Sequence, residues 1–328
     1  MTGSPYCRPH SSTSGSVEAS AAGAMTRGAF LRLALGLLPC AGFAAAAFAQ
    51  GPRTERMHTR PIPSSGEPLP VVGCGTWRTF DVGSSPAARA PLAEVLRILF
   101  DAGGSVIDSS PMYGSSERVV GDVLNDMGAR DRAFVATKVW TTGRAAGIAQ
   151  MRESMALMRA DPIDLMQIHN LVDWRTHLAT LRDWKREGRV RYIGVTHYTS
   201  SAYGELEAIL RAEALDFVQL NYALDDRAAE RRLLPLAADR GIAVIVNQPF
   251  GGGGLLRRLS ARSLPPWSGE IGCDSWAQLL LKFVLSHSSV TCAIPGTGRP
   301  EHMTDNVRAG FETYPDAALR ERLIALVG

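Results

Sequence analysis

Asp164-Leu165-Met166-Gln167-Ile168-His169, then Leu178–Glu187 closed by Gly188, then Tyr192-Ile193-Gly194-Val195-Thr196, is the passage from which the rest of the chain can be read. The outer runs are short and aliphatic, whereas the middle one repeats its apolar residues at i, i+3 and i+4, so the order is strand, helix, strand. The same alternation extends in both directions. Candidate strands are Val71–Trp77, Ser105–Ser109, Phe134–Val139, Asp164–His169, Tyr192–Thr196, Phe217–Asn221, Ala243–Asn247 and Thr291–Pro295. Between them lie helical-period segments such as Leu92–Phe100, Ile148–Met158, Tyr203–Arg211, Ala229–Arg240 and Trp276–Ser286, with stop signals at Gly103 and Gly241. Eight βα units over 69–328 predict an α/β fold, a (β/α)8 TIM barrel with eight parallel strands, because a doubly wound sheet usually takes fewer strands.

Composition agrees with one large folded domain. The 328 residues are 45% hydrophobic and 20% charged, which excludes a disordered or collagen-like chain. Lys plus Arg number 35 against 32 Asp plus Glu. Residues 1–49 hold three of those bases and one acid, so the remainder is nearly neutral and lacks the basic face that nucleic-acid binding needs. Five cysteines (Cys7, Cys40, Cys74, Cys273, Cys292) show no C-x-x-C spacing, which points to neither a zinc ribbon nor a disulfide framework. They read as buried small apolar side chains, with a Cys74–Cys292 pair as the alternative in an exported protein.

The first fifty residues read differently. Residues 1–24, rich in Ser, Ala and Gly, carry no apolar period and are expected to be disordered or to precede the true start at Met25. Residues 25–49 have signal-peptide anatomy: Arg27 and Arg32, an apolar run Leu33–Phe48, and small residues up to Ala49. That run falls short of the roughly 20 apolar residues that span a bilayer. Thr26-Arg27-Gly28-Ala29-Phe30-Leu31-Arg32 resembles a twin-arginine signal, with Gly28 in place of the second arginine. The expectation is export machinery as a partner, a periplasmic location with the cytoplasm as the alternative, and no membrane attachment after processing. Residues 50–68, with Pro52, Pro61, Pro63, Gly66 and Pro68, read as a stiff linker.

A barrel places its active site at the carboxyl ends of its strands. Asp108, Lys138, His169, Thr196, His197, Gln219 and Asn247 stand at or just beyond such ends, and Tyr113 follows Asp108 in a loop. A phenol titrates near pH 10, and a neighbouring ammonium favours the phenolate and lowers that value. Lys138 in a partly buried mouth would lose its proton unless a carboxylate compensated, and Asp108 can serve. Tyr113 then becomes a general acid, and His169 can hydrogen-bond the same substrate oxygen. Trp77, Trp140 and Trp174 follow strands and are candidates for a substrate-pocket wall, with simple packing as the alternative.

These residues resemble the aldo/keto reductase superfamily: Gly103-Gly104-Ser105-Val106-Ile107-Asp108-Ser109 running to Tyr113-Gly114-Ser115-Ser116-Glu117, then Lys138, Ile168-His169-Asn170, Gly194-Val195-Thr196, Val218-Gln219-Leu220-Asn221-Tyr222, and Ile294-Pro295-Gly296-Thr297-Gly298-Arg299-Pro300-Glu301-His302. The resemblance implies reduction of a small carbonyl substrate by NADPH, with NADH as the alternative. Tyr113 would protonate the oxygen, Lys138 and Asp108 would tune it, and His169 would orient the substrate. Gln219 matches the glutamine that holds the nicotinamide carboxamide. Thr196-His197 stands where Ser-Asn is usual, and Asn247 where a stacking aromatic often sits. Gly251, in a run of four glycines, would let backbone N–H groups approach a pyrophosphate, and Thr297, Arg299 and Asn306 would meet phosphate at the last helix. No metal is expected: a hydrolase built on Asp108, His169 and His197 lacks the several histidines such sites draw. A dinucleotide sensor without turnover is the second alternative. For export, protein isolated from its own host is expected to begin at Gln50; N-terminal sequencing that finds Met1 or Met25 on most molecules refutes processing.

Overall fold

In a parallel strand buried on both faces, successive side chains point to opposite sides, and this period of two organises the molecule. The computed structural model describes residues 56–327, so the expectations for 1–24 and 25–49 lie outside the described residues. Strands β1 (Thr59–Pro61) and β2 (Pro68–Pro70) pair antiparallel. Eight parallel strands follow: β3 (Cys74–Gly75), β4 (Val106–Asp108), β5 (Phe134–Val139), β6 (Ile163–His169), β7 (Val190–Thr196), β8 (Phe217–Asn221), β9 (Ala243–Asn247) and β10 (Cys292–Ala293). They are hydrogen-bonded in chain order. Parallel bridges Val72↔Ala293 and Gly75↔Gly296 join the first to the last and close the barrel. The helices are α1 (Pro86–Asp101), α2 (Ser116–Asp126), α3 (Arg144–Met158), α4 (Trp174–Arg186), α5 (Tyr203–Ala212), α6 (Leu233–Asp239), α7 (Gly254–Ser260), α8 (Trp276–Leu285), α9 (Pro300–Arg308) and α10 (Ala317–Val327).

Two of the expected strands shrink to two residues each. Val71–Trp77 and Thr291–Pro295 contract to β3 and β10, which meet at the seam. A Cβ at Gly75 would lie 2.9 Å from the Ile294 carbonyl, so glycine permits the approach that closes the ring. Helix α1 begins at Pro86, earlier than the Leu92 start expected from periodicity, because its first turn is exposed and carries no apolar pattern.

The two faces of the strands form separate cores. Val135, Val139, Met166, Ile168, Val195, Val218 and Val246 pack outward under the helices. The other parity points inside, where Val106, Phe134, Leu165, Tyr192, Phe217, Ala243 and Cys292 gather with Ile62 and Leu69. Along each strand the inward series turns polar toward the carboxyl end: Phe134-Ala136-Lys138, Leu165-Gln167-His169, Phe217-Gln219-Asn221. The barrel is thereby apolar at the bottom and reactive at the top.

The described part of the segment expected as a linker is instead structural. Ile62 and Leu69 are fully covered and close the bottom of the barrel. The Tyr192 hydroxyl donates to Glu67 (2.6 Å), and the Arg60 guanidinium donates to the carbonyls of Leu285 at the end of α8 and of His287 (2.9 Å) and Val290 just beyond it. Its prolines thus stiffen a plug. Cys74, Cys273 and Cys292 are free and buried, as small apolar side chains should be. Replacing Ile62 by Ala is expected to cost about 2–5 kcal/mol in urea unfolding, with dinucleotide affinity of the folded fraction unchanged; a cost below about 1 kcal/mol would show that the hairpin does not plug the barrel.

Candidate active site

At the top of the barrel Asp108, the last residue of β4, meets Lys138 of β5. The Lys138 Nζ donates to Asp108 Oδ2 at 2.6 Å and to the Ser109 carbonyl at 2.6 Å. The other carboxylate oxygen, Oδ1, accepts from Gln167 Nε2 (3.0 Å) and Gln219 Nε2 (2.9 Å). Four strands therefore converge on one buried carboxylate, whose two oxygens accept from three donors. Burial alone would discharge Lys138, but Asp108 and Tyr113 outweigh it and hold the ammonium above its ordinary range.

Tyr113 comes from the loop after β4. Its ring centroid is 5.1 Å from the Lys138 ammonium and 5.7 Å from the His169 ring, which it meets edge-on. The expectation that the ammonium makes this phenol acidic is corrected here. Burial is the larger influence and pushes Tyr113 up; Lys138 pulls it down without prevailing, and Asp108 adds to the rise. The phenol stays protonated at neutral pH, which is the state a proton donor needs.

His169 ends β6 and is nearly covered. Ser110 Oγ lies 2.8 Å from its Nδ1 and itself accepts from the Met112 N–H (3.3 Å). Ser110 can then donate to Nδ1, which leaves the proton on Nε2. Burial, helped by the Lys138 charge, pushes this imidazole down to about 2. The ring is neutral at working pH and acts as a hydrogen-bonding group.

All four residues border a cavity except Lys138, which lies wholly buried behind Asp108. The cavity has a volume of about 610 Å³ and is walled also by Trp77, Trp140, Thr196, Gln219 and Asn247. The candidate Trp174 is not on this wall. It is the first residue of α4, outside the barrel, and its Nε1–H donates to Glu205 (3.2 Å). His197 lies just beyond the wall, its ring stacked on Tyr198 at 5.6 Å. Gly251 is approached by the Asp225 carboxylate, and it is Gly252 and Gly253 that reach the cavity. Thr297, Arg299 and Asn306 cluster around α9 and do not line it; the Thr297 hydroxyl accepts from the Arg299 N–H (3.1 Å), and the Arg299 Nε donates to Glu301 (2.6 Å).

The wall suits a nicotinamide dinucleotide. Asn170 and Asn247 each carry a side-chain oxygen with no partner, and a carboxamide N–H2 is a donor that could complete them. Gly251, Gly252 and Gly253 have φ of 57°, 61° and 85°, conformations that let backbone N–H groups turn toward an anion.

Several participants escaped sequence reading. Gln167, Ser110, Met112, Tyr198 and Phe250 are polar or apolar residues of ordinary type, with no spacing signal to mark them. Gln167 was nonetheless findable: it sits two residues before His169 on the same inward parity. Because His169 is held near 2 while an unfolded imidazole titrates near 6.5, the unfolded chain binds the extra proton below that value. Its contribution to stability is present above about pH 6.5 and is lost as the pH falls toward 2. At pH 5 relative to pH 7 the loss is about 2 kcal/mol. Urea unfolding of His169→Gln is expected to show a correspondingly flatter acid dependence than the parent; equal slopes would contradict the neutral ring.

A model of the "Aldo/keto reductase family" matches residues 71–321. The methylglyoxal reductase YeaE of Escherichia coli is 29% identical over 258 residues, covering 76% of this chain and 89% of that protein. A second Escherichia coli protein, described as an NADH-specific methylglyoxal reductase, is 26% identical and covers 76% of this chain and 92% of its own length. An aldo/keto reductase from Klebsiella pneumoniae, solved in complex with NADP and acetate, superposes with a TM-score of 0.69 at 27% identity, over 80% of this chain and 92% of that one. With eight βα units closed on a polar mouth and the family pattern running through nearly all of them, this chain belongs to the aldo/keto reductase family.

Proposed function

We propose that the protein reduces an aldehyde or ketone to the alcohol with NADPH, with Tyr113 giving the proton to the carbonyl oxygen and His169 orienting that oxygen. The observation that carries this reading is the Tyr113 ring on the wall of a cavity of about 610 Å³, 5.1 Å from a buried, carboxylate-held ammonium. Bound NADPH supplies the hydride. As Tyr113 loses its proton, the phenolate forms beside the Lys138 charge, an interaction stronger after the transfer than before it. Asp108 keeps that charge in place, and neutral His169 offers an N–H without competing for the proton.

The NADP complex of the Klebsiella pneumoniae relative favours NADPH, and the NADH-specific Escherichia coli relative keeps NADH as the second cofactor. Thr196, Gln219 and Asn247 would hold the nicotinamide end, with Gly251, Thr297, Arg299 and Asn306 toward the phosphates and His197 beside them. Export and a periplasmic location rest on the composition of residues 25–49 alone; no helix among the described residues is long and apolar enough to cross a membrane. Tyr113→Phe is expected to lower kcat/KM for carbonyl reduction by about 10²-fold or more, while NADPH affinity stays within a few-fold by nicotinamide fluorescence. Unchanged turnover would defeat the assignment, and tight binding without turnover in the parent would favour a sensor.

A further inference from the structure

We propose that Asp81, on the loop between β3 and α1, is a positioning residue for the proton donor: it tethers the far end of the Tyr113 loop and thereby holds the phenol beside Lys138 and His169. The proposal rests on the reductase reading above and adds to it a residue that does not itself line the cavity.

Tyr113 sits between two anchors. Three residues before it, Ser110 is joined to His169, so the near end of the loop is fixed to β6. Two residues after it, Ser115 gives both its backbone N–H (2.8 Å) and its hydroxyl (2.8 Å) to the Asp81 carboxylate, and the Ser115 Oγ accepts from the Gly83 N–H (3.0 Å). Three hydrogen bonds thus close a ring between the loop after β3 and the loop after β4. The carboxylate lies against Gly114: a Cβ there would come within 2.4 Å of Asp81 Oδ2, and the residue has a φ of 60°, so glycine is what admits the contact. The two Ser115 donors, the backbone N–H foremost, hold the Asp81 carboxyl below its ordinary range. It is ionised at neutral pH, and the bonds to it are charge-assisted.

The tether is backed from behind. Phe80, next to Asp81, is fully buried in the core, and the Gly83 carbonyl accepts from Arg89 Nε (2.8 Å), whose Nη1 donates to Asp122 of α2 (3.0 Å). Ser115 precedes α2 but makes no side-chain cap bond to it. Its hydroxyl is turned to Asp81 instead, and Asp81 brings the anion that a helix N-terminus favours. At exposed positions such bonds add modestly to global stability. Their consequence is geometric: a displacement of about 1 Å at a reacting group can lower a rate by about 10²-fold, and the Tyr113 backbone is two residues from the ring of bonds.

The test reads reduction of methylglyoxal and benzaldehyde by the NADPH-loaded enzyme together with hydrogen exchange of the backbone amides of residues 113–116, which needs no turnover. Asp81→Ala is expected to lower kcat by about tenfold or more, with KM and NADPH affinity within about twofold, and to speed exchange at Ser115 by about tenfold. Both Ser115 bonds end on one oxygen, Oδ1, so a carboxamide can keep them. Asp81→Asn is therefore expected to stay within about threefold of the parent in both readouts. In a Tyr113→Phe background Asp81→Ala is expected to add less than about twofold, since a residue that acts only through the phenol has nothing left to position. Unchanged kcat or unchanged exchange in Asp81→Ala, failure of the Asn variant to rescue, or a full further loss beside Tyr113→Phe overturns the positioning role and leaves the reductase reading standing. Faster exchange in Asp81→Ala, restored by Asn, in a protein whose parent reduces neither carbonyl upholds the tether and overturns the reductase. No reduction by the parent together with unchanged exchange overturns both.

Discussion

One buried ion pair organises the top of this barrel. Taking a carboxylate and an ammonium out of water costs several kcal/mol per ion, and their attraction offsets this only when the remaining hydrogen-bonding positions are filled. Here three further groups serve them: Ser109 takes a second proton of Lys138, while Gln167 and Gln219 bond the second oxygen of Asp108. Losing either partner would leave an uncompensated charge in a nearly dry interior. The pair also links β4 and β5 to β6 and β8, so the position of the charge is coupled to closure of the sheet.

From that constraint the electrostatics of the neighbours follow. Tyr113 and His169 share the dehydrated surroundings of Lys138, and in both the uncharged form is favoured. For the phenol, the ammonium softens a rise set by burial; for the imidazole, the same ammonium deepens a fall. One fixed cation thus pushes two neighbours in the same direction on the pH scale while leaving both neutral. This suits a site that moves one proton to a substrate oxygen without a second ionisable group competing for it.

The inward series from bottom to top separates stability from chemistry. Ile62, Phe134, Tyr192 and Phe217 fill the closed end, where the β1–β2 hairpin excludes water. Polar inward residues appear only in the last positions of the strands, where the cavity opens. This division lets the mouth keep exposed rings and unpartnered amide oxygens, since the fold does not depend on them.

Read as a chain of residues, the protein already declared eight βα units, because helix and strand periods are local and survive without tertiary information. Seven of the eight strand runs have both ends within two residues of the observed strands, Val71–Trp77 being the exception, and Asp108, Lys138 and His169 were recognisable as polar ends to apolar strands. Other features were decided only by the folded arrangement. A proline-rich segment became a plug because the barrel has an apolar bottom to cover. Trp174 turned outward because α4 starts beyond the rim. Gln167, Ser110 and Tyr198 joined the site because closure brought strand ends distant in sequence to one mouth. The ionisation of Tyr113 was likewise a tertiary outcome: spacing identifies which groups are neighbours, but only burial determines how much water each one keeps, and here desolvation outweighed the nearby charge.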